Sequence, residues 1–556
     1  MVGTPYSEVD AERALTTWGA LGSDVALRVY TSRLIGADPS LVLHGGGNTS
    51  VKTREQDVTG TPLDVLRVKG SGYDLAELVP EGLTPLDLGA LRRLRSRDTM
   101  SDTEMVAALE ALKLAPSSPF PSVEALLHAW IPAKFVDHTH AMAVLVLTNQ
   151  PSGNALIASA LGPRFAVLDY VMPGFELAAA TRDAIAGRDD LHGLVCRHHG
   201  IFTWGDTAKE SYDRMIAAVQ ACQSLWEKQR DPARACARVE ISAEGVLRRA
   251  TTLAPALRGA LSPLSHNPDR PFRRVVLAFR GDPALRALLD DARLAELAAR
   301  GVLTPDHVIR TKNLPLVLPA IPDESVDAFS LRARAQVADY VQRYERYLER
   351  HRGTRELFVE DSYPRVVLMP GLGLFCAAAT KREASVAADI VEQSLAARFA
   401  AEQLGEFEGL QERDVFEVEF WPPEQAKVRR VQRPASTGRV ALVTGAAGAI
   451  GAAISGALAR SGAAVVMVDR PGAEQSKRLQ VAADRVRTSG HAPFTLAFDV
   501  TDKSACEDAV QQVVAEYGGL DLLVLAHGIA EVAEIDALSR SRCAAVSKST
   551  RLALFT

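Results

Sequence analysis

Two pairs of histidines in the sequence could together bind a metal ion. His138 and His140 stand two residues apart beside the apolar run Met142–Thr148, which the pattern predicts to be a strand. Because side chains alternate along a strand, both imidazoles would point to one side and could reach the same divalent metal. The second pair, His198 and His199, follows another predicted strand and precedes a glycine. A lone His-x-His pair is weak evidence, and two exposed histidines at a strand end are the alternative.

A carboxylate stands upstream of these histidines. The segment from Pro121 to Trp130 predicts a helix with Ser122 as its cap. Glu124 and His128 are four residues apart, so they would share one face of that helix. A carboxylate beside a bound metal can move protons. Taken by itself, Glu124 would be a solvated glutamate of the first turn, where the helix dipole favours negative charge.

Two glycine-rich turns carry small polar side chains. They lie at residues 45–50 and 68–72. Such turns expose backbone N–H groups that can hold a phosphate or a carboxylate. Each turn taken singly is also typical of an ordinary loop.

A third glycine-rich turn, between a predicted strand at residues 439–445 and a helix of small residues, predicts nucleotide binding. This is the context that a dinucleotide-binding fingerprint requires. A second strand ends at Asp469, whose carboxylate can bind ribose hydroxyls and so favours NAD. The adjacent Arg470 is also compatible with binding of NADP. The residues expected to contact the nucleotide are Thr444, Gly445, Gly448, Ile450, Gly451, Asp469, Asp499 and Val500.

Alternating helical patterns and short apolar strands must position these groups, and they predict an α/β protein. Strands are expected at Gly193–Cys196 and Val366–Met369, and long helices at about 282–300, 327–352 and 381–404. A polar stretch with proline and glycine predicts a linker before the nucleotide-binding segment. The predicted divisions are residues 1–230, 231–428, the linker 429–438, and 439–556.

Composition limits the classes of function. The 556 residues include 63 Lys+Arg and 68 Asp+Glu, a net charge of −5 without the basic excess that a nucleic-acid partner would require. The six cysteines form no CxxC pair, so neither a disulfide framework nor a zinc ribbon is expected. The N-terminus lacks the pattern of a secretory signal, and the apolar runs are too short to span a bilayer. A cytoplasmic, soluble protein without a membrane partner is therefore expected.

These motifs, in this order, resemble those of the class II aldolase/adducin family. The resemblance is carried by the turns and segments Asn48–Ser50, Lys69–Gly72, Pro121–Glu124, His138–His140, Tyr170–Leu177 and His198–Gly200. Further segments resemble the long form fused to a short-chain dehydrogenase, the rhamnulose-1-phosphate aldolase/alcohol dehydrogenase family: Thr304–His307, Pro364–Phe375 and Phe416–Lys427. The resemblance implies an aldolase/adducin-like α/β/α domain, a long α/β extension and a partial Rossmann domain.

The resemblance also implies roles for individual residues. The metal ligands, for Zn²⁺, would be His138, His140 and His199, the last because it directly precedes the glycine. Glu124 would be the acid/base group. The phosphate of the substrate would lie against Asn48, Ser71, Gly72 and Ser122. The implied reaction is cleavage of L-rhamnulose 1-phosphate to dihydroxyacetone phosphate and lactaldehyde. The resemblance also implies that the protein is a homo-oligomer.

This sequence departs from the family pattern in both parts. Val123 stands where the family often has a second hydroxyl, which implies a weaker phosphate grip or a different substrate. In the nucleotide-binding part, Ala449 replaces a usual glycine, and Leu525–Gly528 lacks the usual asparagine. No Tyr-x-x-x-Lys motif follows: Ser547 and Lys548 resemble its end, but Ala544 stands where the tyrosine would be. The expectation is a truncated domain without catalytic serine, tyrosine and lysine, which retains at most nucleotide binding.

Two other functions remain open on the same scaffold. The first is a different metal-assisted reaction, such as epimerisation, dehydration or decarboxylation. The second is a non-catalytic, adducin-like interaction protein, against which the histidines and Glu124 argue. Fold alone does not decide between them, because one fold carries many activities.

Overall fold

The computed structural model describes residues 3–56, 59–236, 243–265, 267–268, 271–429, 433–487 and 492–528. The predictions made for Ala544, Ser547 and Lys548 lie outside these residues. The strands are β1 Asn48–Gln56, β2 Pro62–Lys69, β3 Leu83–Asp87, β4 Phe135–Thr139, β5 Phe165–Leu168, β6 Gly193–Cys196, β7 Gly200–Gly205, β8 Val276–Arg280, β9 Leu316–Val317, β10 Val366–Met369, β11 Gly373–Ala378, β12 Val440–Thr444, β13 Ala464–Asp469, β14 Phe494–Ala497 and β15 Leu522–Leu525. The helices are α1 Glu8–Trp18, α2 Ser23–Gly36, α3 Leu88–Arg93, α4 Asp102–Ala111, α5 Ala125–Trp130, α6 Met142–Thr148, α7 Gly153–Leu161, α8 Phe175–Ala184, α9 Ala208–Gln229, α10 Ala243–Ala260, α11 Pro283–Leu289, α12 Leu294–Ala299, α13 Val308–Thr311, α14 Val326–Arg352, α15 Lys381–Glu402, α16 Glu412–Glu419, α17 Pro422–Arg429, α18 Ala449–Arg460, α19 Ala473–Arg487 and α20 Lys503–Tyr517.

The chain forms two compact units that do not follow the chain in single blocks. The first contains residues 1–236, 295–313 and 389–430, and the second contains 237–294, 314–388 and 431–556. Two short stretches of the middle of the sequence are therefore built into the first unit. Among the described residues, none of the helices combines the length and the apolar character needed to cross a bilayer.

The first unit is built on a seven-stranded sheet in the order β3-β2-β1-β4-β7-β6-β5. Neighbouring strands are antiparallel except β5 and β6, which run parallel. Alternate side chains of one strand enter different cores: Leu194 packs with α3, α5 and α8, whereas Val195 packs with α2, α6 and α9. The sheet is thus buried on both faces, which confirms the predicted α/β/α domain.

A buried ion pair fixes the central strand β4. Arg28 of α2 lies 2.5 Å from Asp137, and neither side chain has exposed surface. The other oxygen of Asp137 accepts a hydrogen bond from Ser211 of α9 at 2.5 Å. Two helices are therefore tied to the residue immediately before His138.

Three local predictions were wrong. The apolar run Met142–Thr148 is helix α6 and not a strand, so His138 lies in β4 while His140 stands just beyond that strand. Helix α5 begins at Ala125, and Glu124 is its N-cap. The segment expected as one helix at about 282–300 is two short helices, α11 and α12. A short apolar run buried on all sides gives no periodicity that separates strand from helix, which explains the first error.

The second unit contains two four-stranded sheets. One has the order β8-β11-β10-β9, and the other is fully parallel with the order β14-β13-β12-β15. Alternate residues of β12 face two cores, with Ala441 and Val443 toward α18 and α19, and Val440 and Leu442 toward α20. Because short strands alternate with helices, this is the Rossmann-like arrangement that the sequence predicted.

Candidate metal-dependent active site

Three histidines converge in the first unit. The ligand atoms of His138, His140 and His199 lie within 4.8 Å of one another, and all three side chains are buried. His138 comes from β4, and His199 comes from the turn between β6 and β7. The neighbouring His198 is not a member of this cluster. Of the two histidines left open by the sequence pair, the fold brings His199 to the site.

The glycine after His199 allows this convergence. A Cβ at Gly200 would lie 2.3 Å from the carbonyl oxygen of Thr139 and 3.1 Å from the rings of His138 and His140. Any side chain there would push the two rings away from His199. The His-Gly pattern in the sequence therefore has a steric cause.

Hydrogen-bond partners orient two of the imidazoles. Nδ1 of His138 lies 3.1 Å from the carbonyl oxygen of Ile201, so it carries the proton and leaves the Nε2 lone pair available. Nδ1 of His140 lies 3.3 Å from the carboxylate of Asp306, and its Nε2 lies 3.0 Å from Nε2 of His138. Burial holds the pKa of His138 well below its usual range and lowers the pKa of His140 to about 4. Both rings are therefore neutral near pH 7, the form that binds metals.

Glu124 lies beside the histidines and is buried, with 5% of its surface exposed. Its Oε1 is 3.5 Å from Nε2 of His199, and its Oε2 is 3.6 Å from Nε2 of His138. Among the described residues, Oε1 has no hydrogen-bond partner. Burial raises the pKa of this carboxyl, and its electrostatic interaction with His199 and its hydrogen bond from Asn48 oppose that effect. The interpretation of Glu124 as a solvated glutamate is therefore wrong.

The four residues predicted to hold a phosphate line one cleft together with His140, His199 and Glu124. The cleft has a volume of about 110 Å³. Antiparallel backbone pairing joins their two segments, because Ser71 N donates to Phe120 O at 2.7 Å and Ser122 N donates to Lys69 O at 3.0 Å. The members of this group are Asn48, Ser71, Gly72 and Ser122.

Lys69 holds the two glycine turns together. Its buried Nζ donates to the carbonyl oxygens of Gly45 at 2.6 Å and Tyr73 at 2.9 Å. Gly47 has a positive φ of 57°, and a Cβ there would lie 2.6 Å from the carbonyl oxygen of His138. The glycine turn therefore packs directly on the strand that carries the first histidine.

The donor set fits a catalytic divalent metal. Three imidazoles with one position open to a cleft are a recurrent arrangement of ligands at catalytic zinc sites. The Nε2 atom of His138 and Oε1 of Glu124 are buried, and both are directed toward the space that the three rings share. The chain thus supplies the ligands and the adjacent carboxylate that such a site needs.

The predicted nucleotide-binding residues meet at the carboxyl ends of the parallel strands in the second unit. Gly445 has a positive φ of 65°, and Gly448 is the N-cap of α18. A Cβ at Gly451 would lie 2.3 Å from the carbonyl oxygen of Gly445, so the turn and helix pack closely. Asp469 ends β13 and accepts a hydrogen bond from the N–H of Ala447 at 2.9 Å. The other predicted residues flank this turn or follow the neighbouring strand: Thr444, Ile450, Asp499 and Val500.

Comparisons with known proteins decide the family. Profiles of three families match in order: Class II Aldolase and Adducin N-terminal domain at residues 27–226, Aldolase class II second domain at 248–428, and short chain dehydrogenase at 439–555. The chain is 30% identical over 543 residues to the uncharacterized oxidoreductase YuxG of Bacillus subtilis, covering 95% of this chain and 76% of that protein. The chain belongs to the family of class II aldolases fused to short-chain dehydrogenases.

Other similarities are limited to single parts of this aldolase–dehydrogenase fusion. D-threitol dehydrogenase of Mycolicibacterium smegmatis is 43% identical over 104 residues, which are 18% of this chain and 38% of that protein. A solved N-terminal class II aldolase domain from Thermoplasma acidophilum is 44% identical, with a TM-score of 0.35 over 36% of this chain and 92% of that chain.

Sequence reasoning missed several residues of the site. Asp306 lies in the segment Thr304–His307, whose resemblance to the family predicts no role for it, and the sequence predicts for His128 only a helical face shared with Glu124. His44, at the rim of the cleft, lies 2.8 Å from Asp389 of α15. No local pattern marks these residues, because each acts through a contact with a distant part of the chain.

Proposed function

We propose that this fusion protein catalyses metal-dependent retro-aldol cleavage of a ketose 1-phosphate, with Zn²⁺ as the metal. The observation that carries the proposal is the buried carboxylate of Glu124 beside His138 and His199, in a cleft that also exposes a glycine turn. L-Rhamnulose 1-phosphate is the proposed substrate, with dihydroxyacetone phosphate and lactaldehyde as products. This choice rests on the resemblance of the motifs to the rhamnulose-1-phosphate aldolase/alcohol dehydrogenase family.

The residues of the site would have different roles in this reaction. A divalent metal on the three histidines supplies Lewis-acid polarisation of substrate oxygens. Asn48 occupies Oε2 of Glu124 with an N–H donor, so Oε1 is the atom that takes the proton of the substrate hydroxyl as the carbon–carbon bond breaks and returns it to the released carbon. Because burial raises the pKa of Glu124, the carboxyl can hold this proton closer to neutral pH.

The glycine turns would hold the substrate phosphate. Gly72 has a positive φ of 86° and open space around it, and Ser71 and Ser122 line the same cleft. Backbone N–H groups of such a turn bind phosphate without a lysine at its centre. Lys69 is committed to carbonyl oxygens, which supports a mechanism without a lysine Schiff base.

The first experiment measures metal content and the release of dihydroxyacetone phosphate from ketose 1-phosphates. We expect about one zinc per chain, lost together with activity in His140→Ala. Glu124→Gln should keep the metal and lose about 10²- to 10⁴-fold in kcat, the usual contribution of a general acid or base. His198→Asn is the matched control, because His198 adjoins a ligand without joining the cluster and asparagine tolerates its positive φ of 56°.

Two outcomes would redirect the proposal. A metal-free protein that cleaves no ketose phosphate would refute the aldolase and favour a binding protein. A bound metal without aldol cleavage would favour epimerisation, dehydration or decarboxylation at the same site.

We infer a second, separate activity for residues 439–528, which is binding of NAD. The support is Asp469 at the end of β13, beside the glycine turn, where its carboxylate can accept ribose hydroxyls. Quenching of NADH fluorescence that is weakened in Asp469→Ala would support this inference, and equal quenching in wild type and Asp469→Ala would contradict it.

We also propose a homo-oligomer, as the resemblance implies. Light scattering after size-exclusion chromatography gives the mass directly, and a mass of one 59.8 kDa chain would contradict this.

A further inference from the structure

A chain of hydrogen bonds links buried side chains behind the histidine cluster. Oγ of Ser50 lies 2.8 Å from Nδ1 of His128, and Nε2 of His128 lies 2.5 Å from Oδ1 of Asn48. The amide nitrogen of Asn48 donates to Oε2 of Glu124 at 2.5 Å and to Oγ of Ser122 at 3.0 Å. The route therefore runs from a hydroxyl in the sheet, through an imidazole and an amide, to the carboxylate of the site.

Two strands and one helix create this route. Asn48 is the first residue of β1 and pairs with His138 of β4, which places its side chain beside the metal ligands. His128 projects from α5, whose N-cap is Glu124, so the imidazole and the carboxylate belong to the same helix. His128 has no exposed surface. Solvent therefore does not compete for either ring nitrogen.

With Glu124 ionised, one arrangement of protons satisfies all these contacts. The NH₂ group of Asn48 must face the carboxylate, because an amide oxygen there would meet a like charge. Oδ1 of Asn48 then faces His128 and accepts its Nε2–H, while Nδ1 of the ring accepts the hydroxyl of Ser50. Burial first, and then the charges of Lys52 and Arg28, lower the pKa of His128 to about 3, so the ring is neutral with a single tautomer.

We propose that His128 is a positioning residue, which locks the Asn48 amide so that its N–H permanently occupies Oε2 of Glu124 and leaves Oε1 as the oxygen that acts on the substrate. Without the Nε2–H donor, the amide of Asn48 can turn over, so that its N–H no longer occupies Oε2. The two oxygens of Glu124 would then no longer be held in different surroundings. The kinetic consequence rests on the proposed aldolase function. The chain of hydrogen bonds from Ser50 through His128 and Asn48 to Glu124, called the relay below, does not.

Two substitutions of His128 separate this role from simple packing. The amide nitrogen of glutamine reaches about the position of Nε2, so His128→Gln keeps the donor to Asn48. Asparagine is shorter and reaches about the position of Nδ1, so His128→Asn keeps a partner for Ser50 and loses that donor. Ser32→Ala is the control for a lost buried hydrogen bond, since Ser32 contacts Thr49 at 2.8 Å outside the relay.

We would measure zinc content, kcat and KM for ketose 1-phosphate cleavage, and hydrogen exchange of the Asn48 side-chain amide with ¹⁵N-asparagine labelling. The Asn48 signals are assigned by their loss in Asn48→Ser. In His128→Asn, kcat should fall about 10- to 100-fold while KM stays within about twofold, zinc is retained, and the amide exchanges faster. His128→Gln should stay within about threefold of wild-type kcat with a protected amide.

Equal losses in the asparagine and glutamine variants, or a raised KM with lost zinc, would show a merely structural residue and overturn the proposal. An Asn48 amide that exchanges equally in wild type and His128→Asn would overturn it as well. If the wild type cleaves no ketose phosphate, the aldolase function fails, and the exchange experiment still decides whether His128 locks Asn48.

Discussion

Removal of the Asp306 carboxylate should weaken metal binding without removing a ligand. Oδ2 of Asp306 lies 3.3 Å from Nδ1 of His140, on the opposite side of the ring from the nitrogen that faces His138. A carboxylate in this position fixes the ring and raises its basicity as a ligand, and loss of such a partner typically costs 10- to 100-fold in metal affinity, about 1.4 to 2.8 kcal/mol. The Asp306 side chain is 38% exposed, so solvent screens its charge, and we expect about tenfold for Asp306→Ala.

The assay is competition for Zn²⁺ against a chelating dye at neutral pH. Asp306→Asn, which retains an acceptor oxygen without the charge, should lose only a few-fold in affinity. Glu81→Ala serves as the control, because Glu81 is an exposed carboxylate that does not line the cleft. An unchanged dissociation constant in Asp306→Ala would refute the reasoning, since the ring of His140 would then be oriented by its packing alone. Failure of the wild type to bind zinc would instead refute the metal site.

Three further predictions concern stability. Arg28→Met should destabilise the protein by about 3 to 5 kcal/mol, because it leaves the buried carboxylate of Asp137 without its cation. Arg13→Met should cost under about 1 kcal/mol, because the side chains of its ion pair with Asp10 are 75% and 48% exposed. Urea denaturation measures both free energies of unfolding. Burial lowers the pKa of His307 from 6.5 to about 4 in the folded protein. Between these pH values the unfolded chain therefore binds more protons than the folded chain. The free energy of unfolding should fall on acidification through this range by up to about 1.4 kcal/mol per pH unit. Urea midpoints at about pH 6.5 and 5 should differ less in His307→Leu. Gly47→Ala should lower zinc content and the thermal midpoint, whereas Gly60→Ala, which has a positive φ but open space, should keep the metal.

Each of these predictions has a contradicting result. Equal urea midpoints for the variants of Arg28 and Arg13 would show that the buried pair contributes no more than a surface pair. A pH dependence in His307→Leu identical to wild type would assign the acid sensitivity to other groups. Full zinc content in Gly47→Ala would mean that the glycine turn can shift away from β4 without disturbing His138.

The sequence alone was sufficient where chemistry depends on residue type and local spacing. His138, His140, His199 and Glu124 were found because their order along the chain resembles one family, and the structure brings all four together. Their roles as metal ligands and acid/base group stay predictions until metal and turnover are measured. The parallel sheet after residue 439 was equally predictable, because each strand and helix there carries its own periodic pattern.

Only the tertiary structure decided the rest. A short apolar run such as Met142–Thr148 has no periodicity that separates a buried helix from a buried strand, so the sequence placed both His138 and His140 on one strand when only His138 lies in β4. Asp306 and His128 reach the site through contacts with His140 and Asn48, which are distant in the chain. A side chain's type and neighbours in sequence carry no information about such partners, because they depend on the path of the backbone between them.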